Sequence, residues 1–172
     1  MRCRPLLPYT ALVSACLLAS CSSDPTAPRS GVWAHVSAGE QFSCGLTAAG
    51  AAYCWGAGSF GQLGSLHTLG ELRPVAVAGA HVFTSISAGN DHVCALSADG
   101  SAWCWGLDDY LELGAPAGRC NGALPVDCAS RPLRVLGAPP FDSITVAGYA
   151  TCGLSSDHLA WCWGWNHHGQ VG

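Results

Sequence analysis

One segment recurs three times in this chain, and it limits the possible fold more than any other feature. Residues 33–64 contain Val36-Ser37-Ala38-Gly39, Phe42-Ser43-Cys44-Gly45-Leu46, Tyr53-Cys54-Trp55-Gly56 and Gly61-Gln62-Leu63-Gly64. Residues 83–114 repeat the order with Ile86-Ser87-Ala88-Gly89, Val93-Cys94-Ala95-Leu96, Trp103-Cys104-Trp105-Gly106 and Leu113-Gly114. Residues 141–172 do so again, from Val146-Ala147-Gly148 through Cys152-Gly153-Leu154 and Trp161-Cys162-Trp163-Gly164 to Gly169-Gln170-Val171-Gly172. A unit of this length cannot bury its own apolar surface, so copies must stack on one another.

Each copy reads as β-structure. Short β-branched and aromatic runs are cut by Gly-containing turns, and no stretch keeps a helical apolar period. In the second copy, Cys94–Ser97 and Ser101–Cys104 flank Ala98-Asp99-Gly100, the pattern of a three-residue hairpin loop with Gly in the left-handed region. That loop pairs Ser97 with Ser101, Leu96 with Ala102, Ala95 with Trp103 and Cys94 with Cys104. Counted from a hydrogen-bonded Ser97–Ser101 pair, the cysteines fall at a non-hydrogen-bonded site. Cα atoms there lie about 4.5 Å apart, at the short end of disulfide geometry. The same offset pairs Cys44 with Cys54 and Cys152 with Cys162, leaving Cys120 and Cys128 to close a small loop. His158 stands where the other hairpins have Gly50 and Gly100, so a histidine at positive φ is expected there.

Val93, Ala95, Trp103 and Trp105 would lie on one face of the second copy, and Cys94, Leu96, Ala102 and Cys104 on the other. A sheet apolar on both faces must be covered on both, as blades are in a β-propeller.

The N-terminus belongs to targeting rather than fold. Residues 1–20 have a positive start (Arg2, Arg4), an apolar stretch over 6–19 too short to span a bilayer as a helix, and the ending Leu18-Ala19-Ser20 before Cys21. This resembles a bacterial lipoprotein signal peptide with Cys21 as the lipidated residue. An ordinary secretory signal is the alternative, and Cys16 fits the lipid-attachment pattern more loosely. A tether follows over 21–32. Export leaves eight cysteines in an oxidising compartment, an even number that suits four disulfides.

Charge narrows the partners. The chain contains no lysine and its net charge is −4. Without its first twenty residues, five arginines face eleven acids, a balance of −6. Nucleic-acid binding needs a basic face and is not expected.

The repeat, with Ala38-Gly39, Tyr53-Cys54-Trp55-Gly56, Phe60-Gly61-Gln62-Leu63-Gly64 and Asn166-His167-His168-Gly169-Gln170, resembles the regulator-of-chromosome-condensation repeat. The resemblance covers residues 33–172 and implies an all-β, seven-bladed propeller of antiparallel four-stranded blades. This chain carries three copies: 33–82 with its linker, 83–140 with a longer linker, and 141–172. Three blades cannot close a ring, so further blades on a longer chain, or self-association, are expected. The second copy departs from the pattern where Asp108-Asp109-Tyr110-Leu111-Glu112 replaces the Gly-Gln stretch, which puts the usual loop geometry there in question.

No catalytic constellation, cofactor site or metal site is expected. His167-His168 lies in a turn without a spaced partner. Asp108, Asp109 and Glu112 read as a solvated loop, since their spacing suits neither calcium binding nor acid–base work. Gly56-Ala57-Gly58-Ser59-Phe60-Gly61 spells a nucleotide-binding pattern but lacks the helix that should follow it, and no serine sits in a nucleophile elbow.

The most individual feature is the linker at 115–140, where Cys120 and Cys128 staple a loop. Loops on rigid scaffolds commonly carry binding, and Arg119, Asn121, Leu124, Val126 and Asp127 are its candidate contact residues. A disulfide that merely tames an insertion is the other reading. The expected function is therefore an exported, membrane-anchored or secreted scaffold that binds a protein or a surface glycan. Family resemblance also implies guanine-nucleotide exchange on a small GTPase, against which export and acidic charge weigh. Inhibition of an extracellular enzyme is a third possibility.

Overall fold

The structure, a computed structural model, describes residues 32–121 and 125–172. The signal segment, Cys21, all of the tether except Val32, and Leu124 lie outside the described residues. Twelve strands and no helix make up the described residues, so none contains a helix long and apolar enough to cross a membrane.

The first sheet runs β1 (Trp33–Ala38), β2 (Phe42–Thr47), β3 (Ala52–Gly56) and β4 (Glu71–Ala76), in that order and antiparallel. The second contains β5 (Phe83–Ala88), β6 (His92–Ser97), β7 (Ala102–Leu107), β8 (Gly118–Asn121) and β9 (Pro125–Arg134), in the order β5-β6-β7-β9-β8. The third has β10 (Phe141–Ala147), β11 (Ala150–Ser155) and β12 (Ala160–Gly164). The expected four-stranded blade thus appears with four, five and three strands. The longer linker supplies both β9, the counterpart of β4, and an extra strand β8. In the first two copies the fourth strand follows the loops that end at Gly64 and Gly114.

The hairpin register agrees with the sequence reading. Cys94 faces Cys104, Ala95 faces Trp103 and Leu96 faces Ala102, while Ser97 N–H donates to the Ser101 carbonyl at 3.0 Å. Gly50 and Gly100 adopt φ of 79° and 76°, and His158 takes the same conformation at 64°. Pro74 of β4 and Pro132 of β9 occupy matching places where pairing with the preceding strand slips register. A residue without N–H is tolerated there because the ladder is already interrupted.

Both faces of the second sheet are buried. Val93, Ala95 and Trp105 pack against Phe42, Cys44, Leu46 and Cys54 of the first. On the far side, Cys94 and Cys104 pack with Val146, and Leu96 and Ala102 with Phe141, all of the third.

Four kinds of hydrogen bond tie each sheet to the next, and each occurs twice. Phe83 N–H donates to the Gly50 carbonyl and Phe141 N–H to that of Gly100, both at 2.8 Å. The indole N–H of Trp105 reaches the Gln62 carbonyl at 3.0 Å, and that of Trp163 the Glu112 carbonyl at 2.7 Å. Ala88 N–H donates to Ser37 Oγ and Val146 N–H to Ser87 Oγ, both at 2.9 Å. Glu40 N–H meets the Asn90 carbonyl at 3.4 Å and Asn90 N–H the Gly148 carbonyl at 3.0 Å. Repeated side chains therefore build a repeated interface.

Candidate functional site

Strands β8 and β9 form a hairpin on the edge of the second sheet. Gly118 pairs with Cys128, Arg119 with Asp127, Cys120 with Val126, and Asn121 with Pro125. Cys120 and Cys128 therefore meet diagonally, with Cα atoms 5.6 Å apart. The other three cysteine pairs, Cys44 with Cys54, Cys94 with Cys104 and Cys152 with Cys162, lie directly across their hairpins, at 4.1, 4.2 and 4.1 Å. All four are within disulfide reach.

Of the candidate contact residues, Arg119 and Asp127 stand opposite one another, with Nε and Oδ1 3.6 Å apart and both side chains mostly exposed. An open pair of that kind contributes little to stability. Val126 is half-buried. The hairpin is fixed to its own blade by a hydrogen bond from Asp108 N–H to the Asp127 carbonyl, at 2.8 Å.

The hairpin also walls a cleft of about 640 Å³ that faces the loop at 66–69 of the first blade. Arg119, Arg131 and His67 line it beside Leu66, Leu69 and Leu133. A second cleft adjoins it, sharing Leu66, Arg131 and Leu133 and adding His81, Trp103 and Arg134. No carboxylate lines either one.

The acidic stretch of the second copy is solvated only in part: Asp109, Tyr110 and Leu111 are exposed, and Asp108 and Glu112 are not. Asp108 is 4 % exposed and Glu112 is wholly buried. The departure from the Gly-Gln pattern nevertheless keeps the loop geometry. Leu111 takes φ 64° where Gly61 and Gly169 have 74° and 78°. Tyr110 N–H donates to Glu112 Oε2 at 2.8 Å, as Phe60 N–H does to Gln62 Oε1 and His168 N–H to Gln170 Oε1, both at 2.9 Å. Asp108 accepts from Leu113 N–H at 2.9 Å, as Asn166 accepts from Val171 N–H at 3.1 Å. Position-by-position alignment of the copies is the signal that could have placed these acids inside.

Burial raises the Glu112 carboxyl to about 7, with Asp108 and Asp109 adding to the effect and backbone N–H donors opposing it. Its Oε1 has no hydrogen-bond partner. Nearby, His92 is fully buried, and burial lowers its imidazole to about 4. Its Nε2 lies 2.9 Å from Thr151 Oγ1, which in turn is 3.4 Å from the Glu112 carbonyl. His92 Nδ1 is unpartnered. Shifted pKa values mark functional candidates, but these two groups are sealed between sheets where a substrate does not reach them. Among the described residues no three His, Cys, Asp or Glu side chains converge as metal ligands would.

Comparison with known proteins gives a consistent picture. The family pattern described as the Regulator of chromosome condensation (RCC1) repeat matches residues 33–62, 83–110 and 142–170, and a second pattern of the same description matches 49–96. No curated protein sequence matches the chain. Among solved structures, Prp20p from Saccharomyces cerevisiae superposes with a TM-score of 0.69 at 23 % identity, over 81 % of this chain and 34 % of that one. Yeast RCC1 (Prp20) bound to Kap60 gives 0.66 at 24 % identity, over 78 % and 32 %. Human WBSCR16 gives 0.69 at 23 %, over 80 % and 34 %. The chain thus spans about a third of the length of the structures it matches, and at these identities the likeness establishes the propeller fold alone.

Proposed function

The chain belongs to the regulator-of-chromosome-condensation repeat family, and we propose that this member is an exported, lipid-anchored scaffold that binds a protein partner through the stapled β8–β9 hairpin. The observation carrying this reading is the hairpin itself. It is an insertion with no counterpart in the first copy, held by the Cys120–Cys128 pair and by backbone bonding to the rigid blade. Binding loops placed on stiff scaffolds follow that design. Yeast RCC1 has been crystallised with Kap60, and Prp20p studied for its binding to Gsp1p and histones; binding of protein partners is what this reading carries over, not those partners.

The reading is non-catalytic, since Glu112 and His92, whose pKa values burial shifts, lie at the contact between blades, and Asp99 and Asp157 are lowered by hydrogen bonds within their own hairpin turns. Export is supported by four close cysteine pairs, which suit an oxidising compartment; in this reading all four are oxidised and Cys21 carries lipid. Leu154, on the far face of the third sheet, is 40 % exposed, and further blades or a second copy would cover it.

The test is affinity capture from the native cell envelope with the wild-type protein and the double variant Cys120→Ser/Cys128→Ser. The variant should lose a partner that the wild type retains. Capture of identical partners by both proteins would remove the hairpin from the binding role. In parallel, Cys21→Ser should move the protein from the membrane fraction to the soluble one.

A further inference from the structure

The clefts beside the hairpin carry more information than the hairpin alone, and we infer that they form one site for an acidic, partly apolar peptide segment of a partner protein. The inference rests on the binding-scaffold reading and specifies the ligand's chemistry.

Charge is the first argument. The described residues contain ten carboxylates and four arginines, Arg73, Arg119, Arg131 and Arg134. Three of those four arginines line the two joined clefts, together with His67 and His81, and no acid does. Most of the described arginines of an acidic protein thus stand in one concave place. Arg131 is exposed and makes no ion pair with any described residue. Arg119 holds Asp127 only loosely and can exchange it for an incoming carboxylate. Guanidinium groups bind carboxylates through paired N–H donors, and a site lined by one sign of charge concentrates ligands of the other.

The apolar lining separates a peptide from a polyanionic glycan. Leu66 and Leu69 are 66 % and 67 % exposed and stand at the cleft. A densely charged glycan would gain nothing from them, whereas alternating acidic and apolar side chains would use both surfaces.

Backbone conformation points to the same place. Leu66, shared by both clefts, has φ 74°, a left-handed conformation that a bulky residue adopts at a cost. Its N–H bond to the Ser130 carbonyl, at 2.8 Å, holds it there. The side chain so positioned is exposed, so burial does not repay the strain. The conformation sets the Leu66 side chain where the two clefts meet.

The experiment measures fluorescence anisotropy of the full oxidised protein with a labelled peptide of alternating Glu and Leu. A Gln-Leu peptide and unlabelled heparin serve as competitors. The wild type should bind the Glu-Leu peptide, more weakly as salt rises. Arg131→Glu should weaken binding by about tenfold or more, while Arg73→Glu, with the same change in net charge on a strand outside the clefts, should not. Leu66→Ser should also weaken it. Absence of wild-type binding, equal losses in Arg131→Glu and Arg73→Glu, or stronger binding of heparin than of peptide would each overturn the inference. The two proposals fail separately. A partner captured in a hairpin-dependent way yet indifferent to Arg131→Glu defeats the cleft and leaves the scaffold. Peptide binding with no hairpin-dependent partner does the reverse.

Discussion

The contact between the first and second sheets and that between the second and third use the same hydrogen bonds at the same repeat positions, yet their interiors differ in chemistry. In the first, Phe42 and Val93 pack as hydrocarbon and Gln62 closes the loop, its amide 3.4 Å from Asp91 Oδ1. In the second, the corresponding residues are His92, Thr151 and Glu112, a buried polar cluster with two atoms left unpartnered. Backbone and indole bonds set how blades meet, and the remaining side chains are free to vary within that frame. The first interface responds to pH through the Asp91 carboxyl, raised by burial and by Glu40, and the second through Glu112 and His92.

The largest expected effect comes from the side chain common to both contacts. Trp105 is wholly buried, and Trp105→Ala should lower unfolding stability by about 4 kcal/mol in urea titrations. Trp163 is half-buried, so Trp163→Ala should cost about half as much. Equal losses would mean that the two contacts are not graded by burial.

A smaller effect sharpens the chemical difference. The folded-state pKa of His92 lies below its ordinary value, at about 4 against 6.5. Stability from its neutral form is present above pH 6.5 and is lost as pH falls through about 4. The double variant His92→Phe/Thr151→Val copies the first interface into the second. It should remove this acid-side loss and gain about 1–2 kcal/mol at pH 4.5, because the unpaired His92 Nδ1 is gone. Denaturant midpoints across that range read it directly; an unchanged acid slope would mean the histidine is not sealed.

The smallest concerns the hairpin turns, which also meet the next blade. A Cβ added at Gly100 would lie 2.9 Å from Pro140 Cβ and 3.0 Å from the Phe141 backbone, so Gly100→Ala should destabilise. His158 holds the same conformation without glycine, and His158→Gly should shift the thermal midpoint upward by the equivalent of about 0.5 kcal/mol or less, since glycine's greater unfolded freedom offsets most of the relief.

Much of this frame was legible before any coordinates. Strand alternation and a three-residue turn were enough to place Cys94 opposite Cys104, because a slip by one residue would have sent every side chain to the wrong face. The apolar character of both faces around Val93 and Leu96 led to stacked sheets for the same reason. Strand β8 was not legible. Gly118–Asn121 lies in a linker rich in Pro and Gly without alternation, and it forms only because β9 offers it an edge. Burial of Asp108 and Glu112 was misread because carboxylates avoid interiors on average. Their places are set by the loop, in which a side-chain oxygen caps backbone N–H groups whether it belongs to Gln62 or Glu112.

The most direct test of the account is a reciprocal exchange, with unfolding stability measured from pH 4 to 8 for the wild type, Glu112→Gln and Gln62→Glu. Glu112 has its folded pKa raised to about 7 from 4.5, so its contribution is full below pH 4.5 and is lost as pH rises through about 7. That loss is about 3 kcal/mol at most. Glu112→Gln should abolish it, and Gln62→Glu, placed beside Asp91, should impose a loss of the same sign on the first interface. If neither substitution alters the slope with pH, the two contacts do not differ in the way proposed here.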